Sequence, residues 1–173
     1  MGKIAGRVSL IFILREAENL NQKEAAMSAL RIEHRIMQVL MVALGMAAVG
    51  IGAMVFLMGV QFIQLTESAF NFAMGESLQA DPATISPTID NELRFYSIFW
   101  LSYGVLALWV ARNMLARLRH VPILMGMFFI GGVGRALSHI LIGAPHPAFT
   151  MLMSIELVTP VVMAILYARA PKP

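Results

Sequence analysis

Long apolar stretches, separated by short polar segments, dominate the chain from residue 36 onward. Each stretch is close to the ~20 residues that a helix needs to cross a bilayer core. Because lipid offers the backbone no hydrogen-bond partners, such stretches must be helical. They lie at about residues 36–63, 93–111, 118–142 and 148–168. The pattern predicts an all-α fold, an integral membrane four-helix bundle in residues 36–173.

Composition supports a membrane protein. The chain is 58% hydrophobic and 13% charged, whereas soluble domains average about 45–50% apolar and about 25% charged residues. Cysteine is absent, which excludes a disulfide framework and thiolate metal sites. The four histidines are divided between the two sides of the predicted membrane, so we expect no metal site and no cofactor.

The basic residues indicate how the bundle is oriented. Of the 13 Lys and Arg residues, all but Arg94 and Arg135 precede the first span, connect spans two and three, or follow the fourth. The connection 64–92 is acidic and has no Lys or Arg. By the positive-inside rule both termini are predicted to be cytoplasmic and the acidic loop to lie outside. The charges form no basic patch, and we expect no nucleic-acid partner.

Residues 1–35 form a separate N-terminal segment in this interpretation. Asn21 and Glu24 resemble a helix N-cap, and Ala26, Leu30 and Met37 follow at helical spacing. We expect an interfacial amphipathic helix running into span one. The alternative is an arm that docks onto a partner protein.

Two charged residues, Arg135 and Glu156, lie inside apolar stretches on either side of the short connection at Gly143 to Ala148. Helical rise places both ~12 Å below the same membrane face. An ionisable residue at this depth is costly unless it is paired, and it marks a candidate functional site. The alternative is a purely structural ion pair that fixes helix register.

Other polar residues extend this candidate site. Ser138 and His139 share a helix face with Arg135, and span two carries a polar stripe that runs inward from Glu92. We expect an outward-facing pocket with the Arg–Glu pair at its base. The candidate ligand-binding residues are Arg135, Glu156, His139, Ser138, Tyr96, Tyr103 and Glu92.

About residues 59–168 resemble a bacterial membrane-protein family known as domain of unknown function 4345. The resemblance rests on Glu92-Leu93-Arg94-Phe95-Tyr96, Gly134-Arg135 with Ser138, Gly143-x-Pro145-x-Pro147, and Glu156. It implies a four-helix protein without assigned activity. We therefore expect a multi-pass protein of the bacterial cytoplasmic (inner) membrane.

The leading functional hypothesis is binding of a lipid or small amphipathic ligand in the outward-facing pocket. An accessory subunit of a larger membrane complex is the alternative, docking or self-associating through span one and the N-terminal segment. A proton-coupled exporter is a further alternative and requires Glu156 to take up and release protons. A membrane isomerase or hydrolase using Glu156 and His139 comes last, because no catalytic motif is present.

Overall fold

The computed structural model describes residues 2–75 and 86–170, with side chains from Ile32 onward and at Arg15 and Glu18. Within these residues the chain is helical and contains no strand. Six α-helices and a short 3₁₀ helix (Leu118–His120) follow one another. The α-helices are α1 (Gly2–Met58), α2 (Val60–Met74), α3 (Pro87–Arg112), α4 (Met114–Arg117), α5 (Val121–Leu141) and α6 (Pro147–Arg169).

Four helical segments are long and apolar enough to cross a membrane. They are Ile32–Met58, Pro87–Arg112, Met114–Leu141 and Pro147–Arg169. The predicted fold class, an all-α membrane bundle with four spanning helices, is therefore confirmed. Part of the predicted acidic loop, including Glu76 and Asp81, lies outside the described residues.

The first spanning helix continues into the N-terminal segment without a break. Helix α1 is 57 residues long, which corresponds to ~85 Å at helical rise. The side chains that would form the predicted amphipathic face, those of Ala26 and Leu30 among them, are not among the described side chains. An interfacial location for residues 1–35 stays a prediction.

The helices pack mainly as two pairs, α1 with α3 and α5 with α6. Small residues bring α1 and α3 close together. A Cβ atom at Gly104 would lie 2.7 Å from the backbone nitrogen of Val49, and one at Gly52 would lie 2.9 Å from that of Leu101. Two small residues of span one, Gly45 and Gly52, are thus packed inside the subunit, against α3.

The apolar core is centred on the end of the bundle that carries α4, called here the α4 end. Flexible methionine side chains fill it where α1, α3 and α6 meet, consistent with their ability to fill irregular gaps. Its most deeply buried members are Met37, Met41, Ala107, Val110, Val121 and Met163. Contact between α3 and α5 is limited and centres on Tyr103, whose ring stacks on Phe128 at 6.0 Å.

At the opposite end, called here the α2 end, Gly59 separates α1 from α2. The first helix ends at Met58, short of the predicted boundary near residue 63, because Gly59 adopts φ 59° and ψ −135°. Such a positive φ is readily accessible only to glycine. The chain then starts a new helix across the end of the bundle.

Asp90 and Arg94 on α3 hold this junction together. The Val60 N–H donates to Asp90 Oδ1 at 2.9 Å, and Arg94 Nε donates to Asp90 Oδ2 at 2.8 Å. Arg94 Nη1 donates to the carbonyls of Phe56 and Leu57 at 2.7 and 3.0 Å. The pair therefore satisfies backbone groups at the end of α1 and the start of α2, where no intrahelical partner exists.

We expect Gly59→Ala to destabilise the protein by about 2–3 kcal/mol, because alanine is strained at this φ. In addition, the new Cβ would lie 1.8 Å from Asp90 Oδ1. Thermal unfolding in detergent measures the effect. Gly50→Ala is the matched control, since a Cβ there meets no atom within 4 Å and should stabilise α1 by about 0.5–1 kcal/mol. Equal stability of the two variants would contradict this account of the junction.

Candidate functional site

The predicted pair of Arg135 and Glu156 joins α5 to α6. Arg135 Nε donates to Glu156 Oε2 at 2.9 Å. The Glu156 side chain is 3% exposed and that of Arg135 is 34% exposed. Gly132 makes this approach possible, because a Cβ there would lie 3.0 Å from Glu156 Cβ. The carboxylate is thus buried and paired, while the guanidinium reaches the protein surface.

Pro160 lies one turn beyond Glu156 inside α6 and is buried. Proline has no N–H, so it cannot donate to the carbonyl of residue 156, four positions earlier. The helix therefore carries an unclaimed backbone acceptor next to the residue that supplies the buried carboxylate. Both polar features lie on the part of α6 that packs against α5.

Several hydrogen-bond donors of the Arg135 guanidinium have no acceptor among the described residues. A guanidinium carries five N–H donors, and the bond to Glu156 uses the one on Nε. No described residue accepts a hydrogen bond from Nη1 or Nη2 of Arg135. Glu156 therefore fixes the plane of the group and leaves its terminal nitrogens available.

Facing stripes on α3 and α5 show what lies beside Arg135. Tyr103 and Phe128 meet where the two helices touch, and the Tyr103 hydroxyl donates to the Leu124 carbonyl at 3.2 Å. Two turns closer to the α2 end, ~10 Å along each axis, the same stripes carry Tyr96 and Arg135.

Exposure differs between the two tyrosines of the α3 stripe. Tyr103 is 7% exposed, whereas Tyr96 is 57% exposed. Residues on facing stripes would be buried if the helices stayed in contact, so Tyr96 lies outside the contact between α3 and α5. The space between the Tyr96 and Arg135 stripes is called here the cleft.

The other predicted site residues do not all lie near the ion pair. His139 follows Arg135 by one turn, and its Nδ1 is buried without a hydrogen-bond partner among the described residues. Ser138 and Glu92 are exposed at the α2 ends of their helices. The Tyr103 hydroxyl donates to the carbonyl of Leu124, three turns from Arg135, so Tyr103 does not contact the ion pair.

Sequence reasoning missed the role of His146, which precedes α6. Its Nδ1 accepts a hydrogen bond from the Ala148 N–H at 3.3 Å, and its Nε2 lies 2.8 Å from Asn71 Oδ1. Because Nδ1 accepts, Nε2 carries the proton and donates to Asn71. Phe70 and Phe149 pack edge-on against the ring. The position of His146 directly before Pro147 is the one sequence signal of a helix cap here.

Helix α2 is therefore attached at both ends. Val60 is bonded to Asp90 on α3, and Asn71 is bonded to His146 at the start of α6. Val60, Glu67 and Asn71 are buried and share one helix face. Helix α2 thus crosses the α2 end of the bundle from α3 to α6.

A second feature lies between α5 and α6 at the α4 end. It is an open groove of about 380 Å³ without charged lining residues, bounded by Met125, Phe129, Pro160, Met163 and their neighbours. Phe129 and Arg135 point in different directions around α5, since their positions differ by 600° of helical rotation, or 120°. The groove is thus separate from the ion pair.

Residues 36–167 match the family described as "Domain of unknown function (DUF4345)". The chain belongs to this family. No curated protein and no solved structure matches it. The predicted resemblance is confirmed, and the matched region covers most of all four spans and contains the ion pair of this DUF4345 protein. The description of the family assigns no activity to it.

The two members of the ion pair should contribute unequally to stability. Arg135→Gln leaves the Glu156 carboxylate buried and unpaired, which should cost about 3–5 kcal/mol. Glu156→Gln retains a hydrogen-bond acceptor beside a partly exposed guanidinium and should cost about 1–2 kcal/mol. Thermal unfolding in detergent compares them.

The double variant R135Q/E156Q removes both charges and should be more stable than R135Q alone. If R135Q were no less stable than E156Q, burial of the carboxylate would not be the dominant cost.

Proposed function

We propose that this DUF4345 protein binds a membrane lipid or small amphipathic molecule in the cleft, with Arg135 as the ligand of its anionic or carbonyl head group. The observation that carries the proposal is that only one of the three guanidinium nitrogens of Arg135 is bonded to Glu156. Glu156 holds Nε, and the terminal nitrogens are left to bind an acceptor.

The environment makes an acceptor necessary. Within a membrane, hydrogen-bond donors without partners are costly because hydrocarbon cannot replace water. A carboxylate or phosphate oxygen satisfies such donors with short, charge-assisted bonds, and a guanidinium binds it through two parallel N–H groups. Glu156 acts here as a positioning residue.

Neighbouring residues complement this role. His139, one turn away, has a buried ring nitrogen that can bond a head-group oxygen. Tyr96 lies opposite Arg135, and its exposed ring packs against Phe95 and Phe99. These rings offer an apolar wall for the ligand chain. In this proposal Ser138 and Glu92 belong to the mouth of the cleft, and Tyr103 to its closed end.

The charge distribution supports an orientation. With Arg112, Arg117, Arg119 and Arg169 at the α4 end, the positive-inside rule makes that end cytoplasmic. Both termini would then be cytoplasmic, the α2 end would face outward, and the ligand would enter from the outer leaflet of the bacterial cytoplasmic membrane.

Two other functions find less support in the contacts. An accessory subunit would dock through span one, yet Gly52 on that helix is occupied by Leu101 of α3. The N-terminal segment of α1 would then have to supply the docking surface. A proton-coupled exporter would need Glu156 to exchange protons, which would break its ion pair with Arg135.

Binding of cis-parinaric acid, a fluorescent fatty acid, tests the proposal when compared with its methyl ester. Purified protein in detergent should bind the acid about tenfold more tightly, because a charge-assisted bond is worth about 1.5–3 kcal/mol. R135Q/E156Q should abolish this preference, and E156Q, which retains the guanidinium, should keep it.

The double variant removes the guanidinium without leaving an unpaired buried carboxylate, so it separates loss of binding from loss of fold. Equal affinity of the wild-type protein for acid and ester would refute the proposal, as would a preference that survives in the double variant.

A further inference from the structure

Helix α2 carries a buried carboxylate that the proposed function does not use. Glu67 is 7% exposed. It lies on the same face of α2 as Val60 and Asn71, the residues through which the helix is attached to α3 and α6. Glu67 therefore belongs to the side of α2 that covers the bundle.

Among the described side chains, no Lys or Arg pairs with Glu67. Between residues 36 and 111 and between residues 120 and 168, the basic residues are Arg94 and Arg135. Arg94 is paired with Asp90 and Arg135 with Glu156. Among the described residues, neither His139 nor His146 forms an ion pair with Glu67, and no hydrogen bond reaches its carboxylate.

This arrangement is unfavourable for the protein alone. A buried carboxylate requires a compensating charge or hydrogen bonds. The segment 76–85, which follows α2, contains no Lys or Arg, so the chain supplies no cation there either. A bound molecule that carries a cation would supply a charge partner for this carboxylate.

We propose that Glu67 binds the ammonium group of the ligand whose anionic group binds Arg135. This inference rests on the proposed function. The ligand class is then a zwitterionic amphiphile, with an amine at the α2 end and a phosphate or carboxylate deeper in the cleft. Arg135 lies ~9 Å from the end of α5 at Leu141, and α2 runs between the starts of α3 and α6 at the same end of the bundle, so the proposal places the two charges of the site one above the other along the bundle axis.

The order of charges fits a phospholipid with an ethanolamine head group that enters from the α2 end. Its ammonium group is terminal, its phosphate is next, and its acyl chain follows. Glu67 meets the first group and Arg135 the second. The exposed rings of Phe95 and Phe99 adjoin the position of the chain.

Native mass spectrometry with two lysolipids of the same acyl chain tests this assignment. Lysophosphatidylethanolamine carries the ammonium group, and lysophosphatidic acid lacks it. The wild-type protein should prefer the first by about tenfold, the value for one charged hydrogen bond. Glu67→Gln should remove the preference by weakening lysophosphatidylethanolamine while leaving lysophosphatidic acid unchanged.

The remaining variants distinguish the two proposals. R135Q/E156Q should weaken both lysolipids, and Ser68→Ala, which changes an exposed side chain next to Glu67 on α2, should alter neither. If E67Q changes nothing while R135Q/E156Q weakens both, the role of Glu67 is refuted and the proposed function stands. If R135Q/E156Q weakens neither, the proposed function is refuted.

The wild-type comparison holds even if E67Q fails to fold. A preference of the wild-type protein for lysophosphatidic acid would overturn the ammonium assignment by itself. Glycerophosphoethanolamine has the same head group without the acyl chain, and it should bind much more weakly than the lysolipid. Equal affinity would overturn the assignment to a membrane lipid.

Discussion

A carboxylate inside an apolar helix constrains how the second half of this protein is arranged. Glu156 is buried, and without a partner its charge would be costly in a membrane. Arg135 supplies that partner across the α5–α6 interface. The register of the two helices follows, because Gly132 must face Glu156 for the side chains to meet. The same bond orients the guanidinium whose other nitrogens are available to a ligand.

The two ends of the bundle are organised by different forces. At the α4 end, apolar side chains such as Met37 and Met163 form a tightly packed core. At the α2 end, hydrogen bonds and an ion pair hold helix α2 in place. Asp90 and Arg94 bind the start of α2, and His146 binds Asn71 near its end. Apolar packing therefore holds the helices together at the α4 end, and hydrogen bonds hold α2 across the α2 end.

The sequence was sufficient to predict the four spans and the common depth of Arg135 and Glu156, because both follow from hydropathy and helical rise. It was not sufficient for features that depend on distant partners. The distribution of basic residues singled out Arg94 but could not identify its acceptors at Phe56 and Leu57. The Tyr103 stripe was recognised, yet only tertiary structure shows that Tyr103 contacts α5 while Tyr96 does not. The burial of Glu67 likewise depends on α2 folding back over the bundle.

The depth of Arg135 bears on the kind of molecule that can reach it. A small soluble anion would lose its hydration shell on entering an apolar bundle and would gain a single guanidinium in return. An amphiphile already resides in the membrane, and its chain can lie against exposed rings such as Phe95 and Phe99. For such a molecule only the head group must leave water. The proposed polar partners of the head group are Arg135, His139 and Glu67. The distribution of polar and apolar groups around the cleft thus favours a ligand that has both.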